Sequence, residues 1–568
     1  MNSRCTSWLK KHSTSLFSIL AIFALFLAYN HTLVLNPATA LTDWLDYPLI
    51  VFILEQNIKH LSHLDFANFS NISSFYPSPG GMFFTEILLV QGVVGTVLFP
   101  LTHNYITTHN LIFFLTALTN IISLQYFWSK LFKKQLIVSI LSFLFLFSPY
   151  YFTMYVHFQM IGYAFFFFSA GMLLSAKKPR TYFIAGLLSG LQFLTGVYLG
   201  LYSLMFTGLL LLWKLWNEKD IRTVLKLGLI YSVGFLSIAG FFLYKYSAVK
   251  NEYAINRNPG EYVDLAMQPT DFLFNPYDSI WSRSVYSSVN AFSHRKGSFF
   301  SPGWVMLLSA IGGMYVSFKK KHNKEVVLML LLLGWGIVAA LGPRLSVNGT
   351  YYGTLLPYSI FLKFTPFFDA LRGTGRWFFI IQIALLYFFG IFVKTILEKQ
   401  AQKKAVVLVA LLIGLYVLEI VPLTQRTSIQ SYRTSAYSLL EEKCTKNDVL
   451  LEYPFSPMQP KTDITISLNY WSKMLLNQMH HDCFMVNGYS GFDPQHYLDF
   501  RDAFETAVAE QDTNTIADLL NGKAVTFIKV NKKMLLPNTA EAIQNLFDSN
   551  TYEQLFNDQD NLVLHKKQ

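Results

Sequence analysis

Apolar runs close to the roughly 20 residues needed to cross a bilayer recur along most of this chain. Hydrophobic residues make up 52% of its 568 residues and charged residues only 14%. Soluble domains average about 25% charged residues, so much of this surface must face lipid. The sequence therefore predicts an α-helical polytopic membrane protein. The eleven runs that we accept as transmembrane helices are 14–36, 109–128, 135–150, 154–175, 181–195, 197–215, 225–246, 303–319, 326–342, 375–396 and 404–423.

Basic residues cluster in short segments between these runs, as the positive-inside rule expects for cytoplasmic loops. These segments are 129–134, 176–180, 214–226, 318–324 and 394–404. With a cytoplasmic N-terminus, eleven crossings place all of them inside. The C-terminal part is then extracytoplasmic, in a multi-pass protein of the plasma membrane. The loops predicted to lie outside are 37–108, 247–302 and 343–374.

Residues 82–101 are apolar enough to be a further span. If they crossed, every later loop would change sides, and Lys and Arg would line the outer face. We therefore interpret this segment as an amphipathic or re-entrant helix on the outer surface. The run 14–36 resembles a signal peptide, but no small-residue cleavage site is convincing, so we interpret it as an uncleaved span.

Charge divides the chain into a membrane domain, 1–427, and a C-terminal domain, 428–568. The second part carries 12 Lys and Arg against 18 Asp and Glu, whereas the first has an excess of 17 basic residues. The overall charge of +11 is thus a signal of membrane topology, and no nucleic-acid partner is predicted.

The C-terminal part is predicted to be a small soluble α/β domain. Val449–Tyr453 and Ala524–Val530 have the composition of short strands, and Asp502–Leu520 has helical spacing before an Asn-Gly stop. Cys444 and Cys483 both lie here. They either pair, if the domain faces an oxidising compartment, or remain free thiols.

Two aspartates follow the first apolar run, in Leu41-Thr-Asp-Trp-Leu-Asp-Tyr-Pro48. Carboxylates at the mouth of an apolar helix are costly unless water, a metal or a substrate uses them. The spacing of Asp43 and Asp46 would place both on one face of a helix. One of them could deprotonate an acceptor hydroxyl or help bind a divalent metal cation. Alternatively, they only cap a juxtamembrane helix before Pro48.

Three other polar residues lie near predicted outer ends of apolar segments. Glu86 is either a second carboxylate near a cavity or a solvent-facing residue at a helix start. His157 and Gln159 either contact a sugar or a phosphate, or satisfy each other across helices. A single histidine does not make a metal site, so we assign none there.

Arg372 and Arg376 are four residues apart at the outer entrance of a span, where the positive-inside rule would not place them. Arginine side chains bind phosphate through two parallel hydrogen bonds. The pair is therefore a candidate for binding a lipid phosphate or pyrophosphate, and the alternative is contact with membrane lipid head groups.

Four short motifs resemble the GT-C superfamily of membrane glycosyltransferases, and in particular its uncharacterised bacterial multi-pass branch. They are Asp43-Trp-Leu-Asp-Tyr47, Phe75-Tyr-Pro77, Ala370-Leu-Arg-Gly-Thr-Gly-Arg376 and Val486-Asn-Gly-Tyr-Ser-Gly-Phe492. The resemblance covers nearly the whole chain. One departure is that the predicted outer loops 37–108, 247–302 and 343–374 contain no adjacent acidic pair of the kind found in some branches.

The resemblance implies transfer of a sugar from a polyprenyl-phosphate donor to an acceptor at the outer face of the membrane. In such enzymes a carboxylate of the first outer loop acts as a general base or with a metal. By position that role falls on Asp43, with Asp46 as its neighbour, and Arg372 and Arg376 would hold the donor phosphate.

Two further functions are open from sequence. A transporter or flippase of lipid-linked glycans would need charged or polar residues through the middle of several spans, and few are present. A non-catalytic envelope assembly protein would use its C-terminal part, with Val486–Phe492 as the segment to test.

Alkaline phosphatase fusions in a bacterial host test the topology, because this enzyme is active only outside the cytoplasm. We expect fusions ending within 37–81 or 343–374 to be active and those ending within 129–134 or 176–180 to be inactive. Active fusions at 129–134 would show that residues 82–101 cross the membrane.

Overall fold

The structure is a computed structural model, which divides into two compact units. The helical unit comprises residues 1–31, 113–241 and 256–426, and the mixed unit comprises 32–112, 242–255 and 427–568. Most of the predicted outer loop 247–302 lies outside the described residues. The residues that the structure describes are 3–43, 46–255, 259–273, 300–319, 324–347, 350–365, 368, 371–422, 427–429, 433–458, 464–535, 543 and 551–567.

Each of the eleven apolar runs coincides with one helix or with two consecutive helices. The helices of the first half, which also include two in the predicted outer loop 37–108, are α1 (Ser3–Tyr29), α2 (His31–Leu35), α3 (Tyr47–Ser62), α4 (Leu89–Thr102), α5 (Tyr105–Ser129), α6 (Gln135–Leu146), α7 (Pro149–Met154), α8 (Phe158–Ile161), α9 (Ala164–Leu174), α10 (Pro179–Thr195), α11 (Val197–Glu218) and α12 (Ile221–Glu252). The later helices before residue 427 are α13 (Pro259–Asp264), α14 (Trp304–Lys319), α15 (Lys324–Ala340), α16 (Tyr358–Phe364), α17 (Phe378–Lys399) and α18 (Gln402–Ile420).

Five helical stretches of the described chain are long and apolar enough to cross a membrane. The protein is thus a multi-pass membrane protein, and the number of eleven crossings stays a prediction. The five stretches are Tyr105–Ser129, Gln135–Met154, Val197–Glu218, Ile221–Glu252 and Thr374–Lys399.

The apolar run 154–175 is interrupted between α8 and α9, and buried amide side chains bind the backbone at this break. The Asn120 side chain donates to the carbonyl of Ile161 at 2.6 Å and accepts from the N–H of Tyr163 at 3.1 Å. Gln192 donates to the carbonyl of Gly162 at 2.7 Å. Unpaired backbone groups are very costly in an apolar surrounding, so these two amides make the interruption tolerable.

The segment 82–101 contains a short helix preceded by an irregular turn. Four residues separate the 3-10 turn Gly81–Phe84 from α4. The last of them, Leu88, has a φ of 49°. The 14 residues of α4 rise only about 21 Å, which is less than the roughly 30 Å of a hydrocarbon core. This length is compatible with a helix that does not cross, although its position at the membrane surface stays a prediction.

The mixed unit contains a five-stranded sheet that consists of β5 (Val449–Tyr453), β6 (Phe484–Met485), β7 (Phe527–Asn531), β8 (Tyr552–Asn557) and β9 (Asn561–Lys566). The order of the strands across the sheet is β6-β5-β7-β9-β8. Strand β5 runs parallel to β6 and β7, whereas β9 is antiparallel to β7 and β8. The short strands β1 (Ala40–Leu41) and β4 (Ser428–Ile429) pair separately, and β2 (Arg344–Val347) and β3 (Thr350–Leu355) form a hairpin in the helical unit.

The predicted strand 449–453 is confirmed, and the strand predicted at 524–530 begins three residues later. The single helix predicted over 502–520 is wrong, because Gln511 takes a φ of 57° and ends one helix there. Asp512 starts the next helix by accepting hydrogen bonds from the N–H groups of Asn514 and Thr515, each at 3.1 Å. The helices of this part are α19 (Ser435–Lys443), α20 (Ile464–Gln478), α21 (Gln495–Glu510) and α22 (Thr513–Gly522).

A buried ion pair lies in this sheet. Lys529 on β7 places its Nζ 2.9 Å from a carboxylate oxygen of Glu452 on β5, and the two side chains are only 2% and 1% exposed. The hydroxyl of Tyr437 donates to the same carboxylate at 2.7 Å. Each charge is thus compensated inside the domain.

Removing one member of this pair should strongly destabilise the fold. Lys529→Met leaves a buried carboxylate uncompensated, which costs about 3–5 kcal/mol. We expect a large fall in the melting temperature of the full-length protein in detergent, with partial recovery in Glu452→Leu/Lys529→Met. The control Lys533→Met breaks the exposed pair of Lys533 with Asp560, 2.6 Å apart, and should cost at most about 1 kcal/mol. Equal losses in both variants would contradict this assignment.

Candidate functional site

Asp43 and Asp46 lie together in the segment that leads into α3. Neither is within a helix, so the prediction that both share one helix face is wrong. The helix begins at Tyr47 and has Pro48 in its first turn, where proline loses no hydrogen bond. The backbone N–H of Asp46 donates instead to Oδ2 of Asp43 at 3.0 Å, and this bond orients the Asp43 carboxylate toward the start of α3.

The carboxylate of Asp46 also meets a tyrosine from the C-terminal part. The hydroxyl of Tyr489 donates to Oδ1 of Asp46 at 3.2 Å, across 443 residues of sequence. The ring of Tyr489 stacks on that of Trp471 at a centroid distance of 5.7 Å, and the Trp471 indole N–H donates to the carbonyl of Phe455 at 2.7 Å. Asp43 and Asp46 are both half-buried, so they combine solvent access with fixed partners.

Hydrogen bonds of Asn487 and close packing at Gly488 hold the loop that carries Tyr489 in place. The Asn487 amide accepts from the N–H of Glu452 at 2.7 Å and donates to the carbonyl of Glu452 at 2.9 Å. A Cβ on Gly488 would lie 2.5 Å from the ring of Phe75, so only glycine fits there. The motif Val486–Phe492, which the sequence offered as a candidate surface for assembly partners, contacts residues of its own chain.

Residues 73–76 continue the five-stranded sheet at its β6 edge. The N–H of Met485 donates to the carbonyl of Ser73 at 2.7 Å, and the N–H of Tyr76 donates to the carbonyl of Met485 at 2.9 Å. The N–H of Phe75 donates to the carbonyl of Asn487 at 3.0 Å. The segment that follows α3 is thereby joined to the edge strand β6 and to the start of the loop that carries Tyr489.

A buried charge cluster follows the aspartates on α3. Burial raises the pKa of the Glu55 carboxyl, and the ion pair with Lys59 opposes that rise. Burial works against the charge of Lys59, but Glu55 and Asp482 raise its pKa overall. The cluster lies within one unit and contains ion-paired groups, so we assign it a structural role.

Cys444 and Cys483 form a disulfide, which settles the alternative left open by the sequence. His481 lies beside them, and both of its ring nitrogens are buried. Its pKa is lowered to about 3, mainly by burial. Because the two sulfurs are bonded to each other, they do not offer thiolate ligands. We therefore assign no metal to this group.

The three remaining predicted site residues lie in short helices or in the segments that precede helices. Glu86 is half-buried between the 3-10 turn and α4 in the mixed unit. In the helical unit, His157 immediately precedes α8, and Gln159 lies within it. The Oε1 atom of Gln159 is buried and accepts no hydrogen bond from the described residues, so this atom can accept one from a ligand.

Arg376 and Arg372 have different surroundings, although the sequence pairs them. Arg376 is 9% exposed, and its guanidinium lies 4.7 Å from the centroid of the Tyr198 ring. The Tyr198 hydroxyl accepts from the N–H of Gly373 at 3.3 Å, which anchors the turn that carries Arg376. Arg372 has a half-exposed side chain, and its guanidinium lies 3.7 Å from the carboxylate of Glu261.

The structure therefore brings Asp43 and Asp46 together and separates the two arginines by environment. Ala370, Trp44 and Leu45 of the motifs lie outside the described residues. Sequence reasoning missed Tyr198, whose signal was an aromatic residue at the predicted outer end of a span. It also missed the role of Tyr489, since no local pattern links that residue to Asp46.

Comparison with protein families gives one match. Residues 85–420 match the family described as a domain of unknown function, DUF6311. The chain belongs to this family. No curated protein sequence matches the chain.

Solved structures share the fold at low identity. The oligosaccharyltransferase of Archaeoglobus fulgidus with a tethered acceptor peptide matches with a TM-score of 0.54 and 11% identity, over 99% of this chain and 75% of that one. The same enzyme with an inhibitory peptide and a dolichol-phosphate matches with a TM-score of 0.51 and 11% identity, over the same shares. The arabinofuranosyltransferase AftD from Mycobacteria matches with a TM-score of 0.55 and 12% identity, over 100% of this chain and 42% of that one. The family member described here has the GT-C fold.

Proposed function

We propose that this protein is a membrane glycosyltransferase that moves a sugar from a polyprenyl-phosphate donor to an acceptor hydroxyl on the outer face of the membrane. The observation that carries the proposal is the pair of half-buried carboxylates in the segment after the first helices: Asp43 accepts from the backbone N–H of Asp46, and Asp46 accepts from the hydroxyl of Tyr489. The GT-C fold supports it, as does the dolichol-phosphate in one neighbour.

The chemistry asks for a base and for a group that stabilises the leaving phosphate. The acceptor oxygen attacks the anomeric carbon of the donor sugar while the bond from that carbon to the phosphate oxygen breaks. The acceptor proton passes to a carboxylate, either Asp43 or Asp46, and polyprenyl phosphate leaves as the anion. The sugar transferred, hexosyl or pentosyl, is set by contacts with the donor ring.

A divalent cation fits the donor set of this site. Carboxylate oxygens are the ligands that Mg²⁺ and Mn²⁺ prefer, and this segment carries two carboxylates three residues apart, one of them hydrogen-bonded to the backbone of the other residue. Asp43 and Asp46 would hold the cation, which would stabilise negative charge on the donor phosphate.

Arg376 is the better of the two arginines for the donor phosphate. Its planar guanidinium is oriented by the Tyr198 ring, and a pre-oriented fork loses little freedom when it binds phosphate. Arg372 already faces Glu261 at the surface, where an ion pair contributes little. Glu86, His157 and Gln159 are proposed to contact the donor or the acceptor.

Replacing either aspartate tests the catalytic role. We expect Asp43→Asn or Asp46→Asn to lower sugar transfer by about 10²–10⁴-fold, the usual contribution of a general base, with the larger loss marking the base. The assay follows conversion of labelled polyprenyl-phosphate hexoses and pentoses in membranes of cells that express the full chain.

Asp65→Asn is the matched control, because Asp65 lies in the same loop and accepts hydrogen bonds from Asn68 at 3.3 and 3.0 Å. Its transfer activity should equal that of the wild type. Full activity in both Asp43→Asn and Asp46→Asn, with unchanged melting temperatures, would overturn the proposed chemistry. Movement of labelled lipid across vesicle membranes without sugar transfer would instead favour a flippase.

Substitution of each arginine by lysine tests which of the two binds the donor phosphate. Arg376→Lys keeps the charge but loses the planar fork over Tyr198, so the KM for the lipid donor should rise by about tenfold or more. Arg372→Lys should change the KM less than about threefold, as expected for an exposed ion pair. A larger effect at Arg372 would refute the assignment of phosphate binding to Arg376.

A further inference from the structure

We infer that Tyr489 is a positioning residue for Asp46, so that the C-terminal part of the chain completes the catalytic carboxylate pair of the membrane loop. The inference rests on the proposed function and names a residue to which neither the family description nor the structural neighbours assign a role. It uses only contacts within the mixed unit.

The first support is the contact itself. A tyrosine hydroxyl is the donor in the 3.2 Å bond to Oδ1 of Asp46, and an ionised carboxylate can only accept hydrogen bonds. The bond restricts rotation of the Asp46 side chain. Because the N–H of the same residue holds Oδ2 of Asp43, one tyrosine sets the orientation of Asp46 beside its partner.

The second support is that Tyr489 is itself held rigidly. Its ring rests on Trp471, and the indole N–H of Trp471 is fixed by the carbonyl of Phe455. Two residues before it, the Asn487 amide makes two hydrogen bonds to the backbone of Glu452. A side chain held from both directions can transmit its position to the carboxylate it touches.

The third support is the connection between the loop that carries Tyr489 and the segment that follows α3. Three backbone hydrogen bonds of 2.7 to 3.0 Å join residues 73–76 to the segment 485–487. Packing of Phe75 against Gly488 leaves no room for a Cβ. The hydroxyl of Tyr489 and the carboxylate of Asp46 therefore belong to one connected body, and their distance does not depend on a flexible tether.

A purely structural hydrogen bond would contribute to stability and leave the chemistry unaltered. A positioning bond has a different signature, because a carboxylate displaced by a fraction of an ångström lowers the rate of the chemical step while donor binding is retained. Removal of an O–H donor also disfavours the charged form of a carboxylate. The two roles are therefore separable by kinetics.

The test uses Tyr489→Phe in the full-length protein, with labelled polyprenyl-phosphate sugars as the probe. We expect kcat to fall by about 10–100-fold with the KM for the donor changed less than about twofold. The acidic limb of the pH–rate profile should move to higher pH. In the Asp46→Asn background the same substitution should cost no further activity, since its effect passes through Asp46.

Tyr552→Phe is the matched control. It also removes a buried hydroxyl, which donates to the carbonyl of Val525 at 2.9 Å in the same sheet, but it does not touch Asp46. Kinetics and pH profile of this variant should match the wild type. If Tyr489→Phe lowers only the melting temperature, or if its loss of kcat persists in full in the Asp46→Asn background, the positioning role is refuted.

The outcomes distinguish this inference from the proposed function. A wild-type protein without sugar transfer would overturn the function itself. Transfer by the wild type, lost in Asp46→Asn and undiminished in Tyr489→Phe, would overturn only the inference. Where Tyr489→Phe is poorly folded, Trp471→Phe keeps an aromatic support for Tyr489 but loses the bond to Phe455, and a smaller fall in kcat with the same shift of the pH profile is expected.

Discussion

Backbone pairing between residues 73–76 and the β6 edge is the interaction on which the mixed unit depends. An edge strand exposes N–H and C=O groups that need partners, and Ser73, Phe75 and Tyr76 supply them at 2.7 to 3.0 Å. The pairing joins two parts of the chain more than 400 residues apart. Every contact between the aspartate loop and the motif Val486–Phe492 presupposes it, since side chains can meet reproducibly only after their backbones are in register.

The helical unit obeys a related constraint. Where the apolar run 154–175 stops being helical, backbone groups would be left without partners, and in lipid that costs several kcal/mol for each group. Asn120 and Gln192 remove the cost with bonds of 2.6 to 3.1 Å. The two buried amides Asn120 and Gln192 are thus accounted for by the backbone groups at this break, and Gln159 beside it keeps a buried oxygen without such a partner among the described residues.

The sequence could predict features that depend on local composition. Apolar runs located the helices, the composition of a short apolar run located β5, and the cost of unused carboxylates pointed to Asp43 and Asp46. The sequence could not separate Arg372 from Arg376, because spacing carries no information on burial or on the Tyr198 ring. Nor could it find the break at Gln511, where a backbone angle and the Asp512 side chain outweigh a continuous helical pattern.

The bond from Tyr489 to Asp46 was beyond prediction for a different reason. It spans 443 residues, and its existence depends on the register of the whole sheet and on the clamps at Asn487 and Gly488. The loop with the aspartates is synthesised long before its partner. The contact of Tyr489 with Asp46 forms only after residue 489 has been synthesised, so chains that end before it lack the positioning bond that we infer. This contact explains why the acidic C-terminal part belongs to the same compact unit as the loop after the first helices and is not a separate unit.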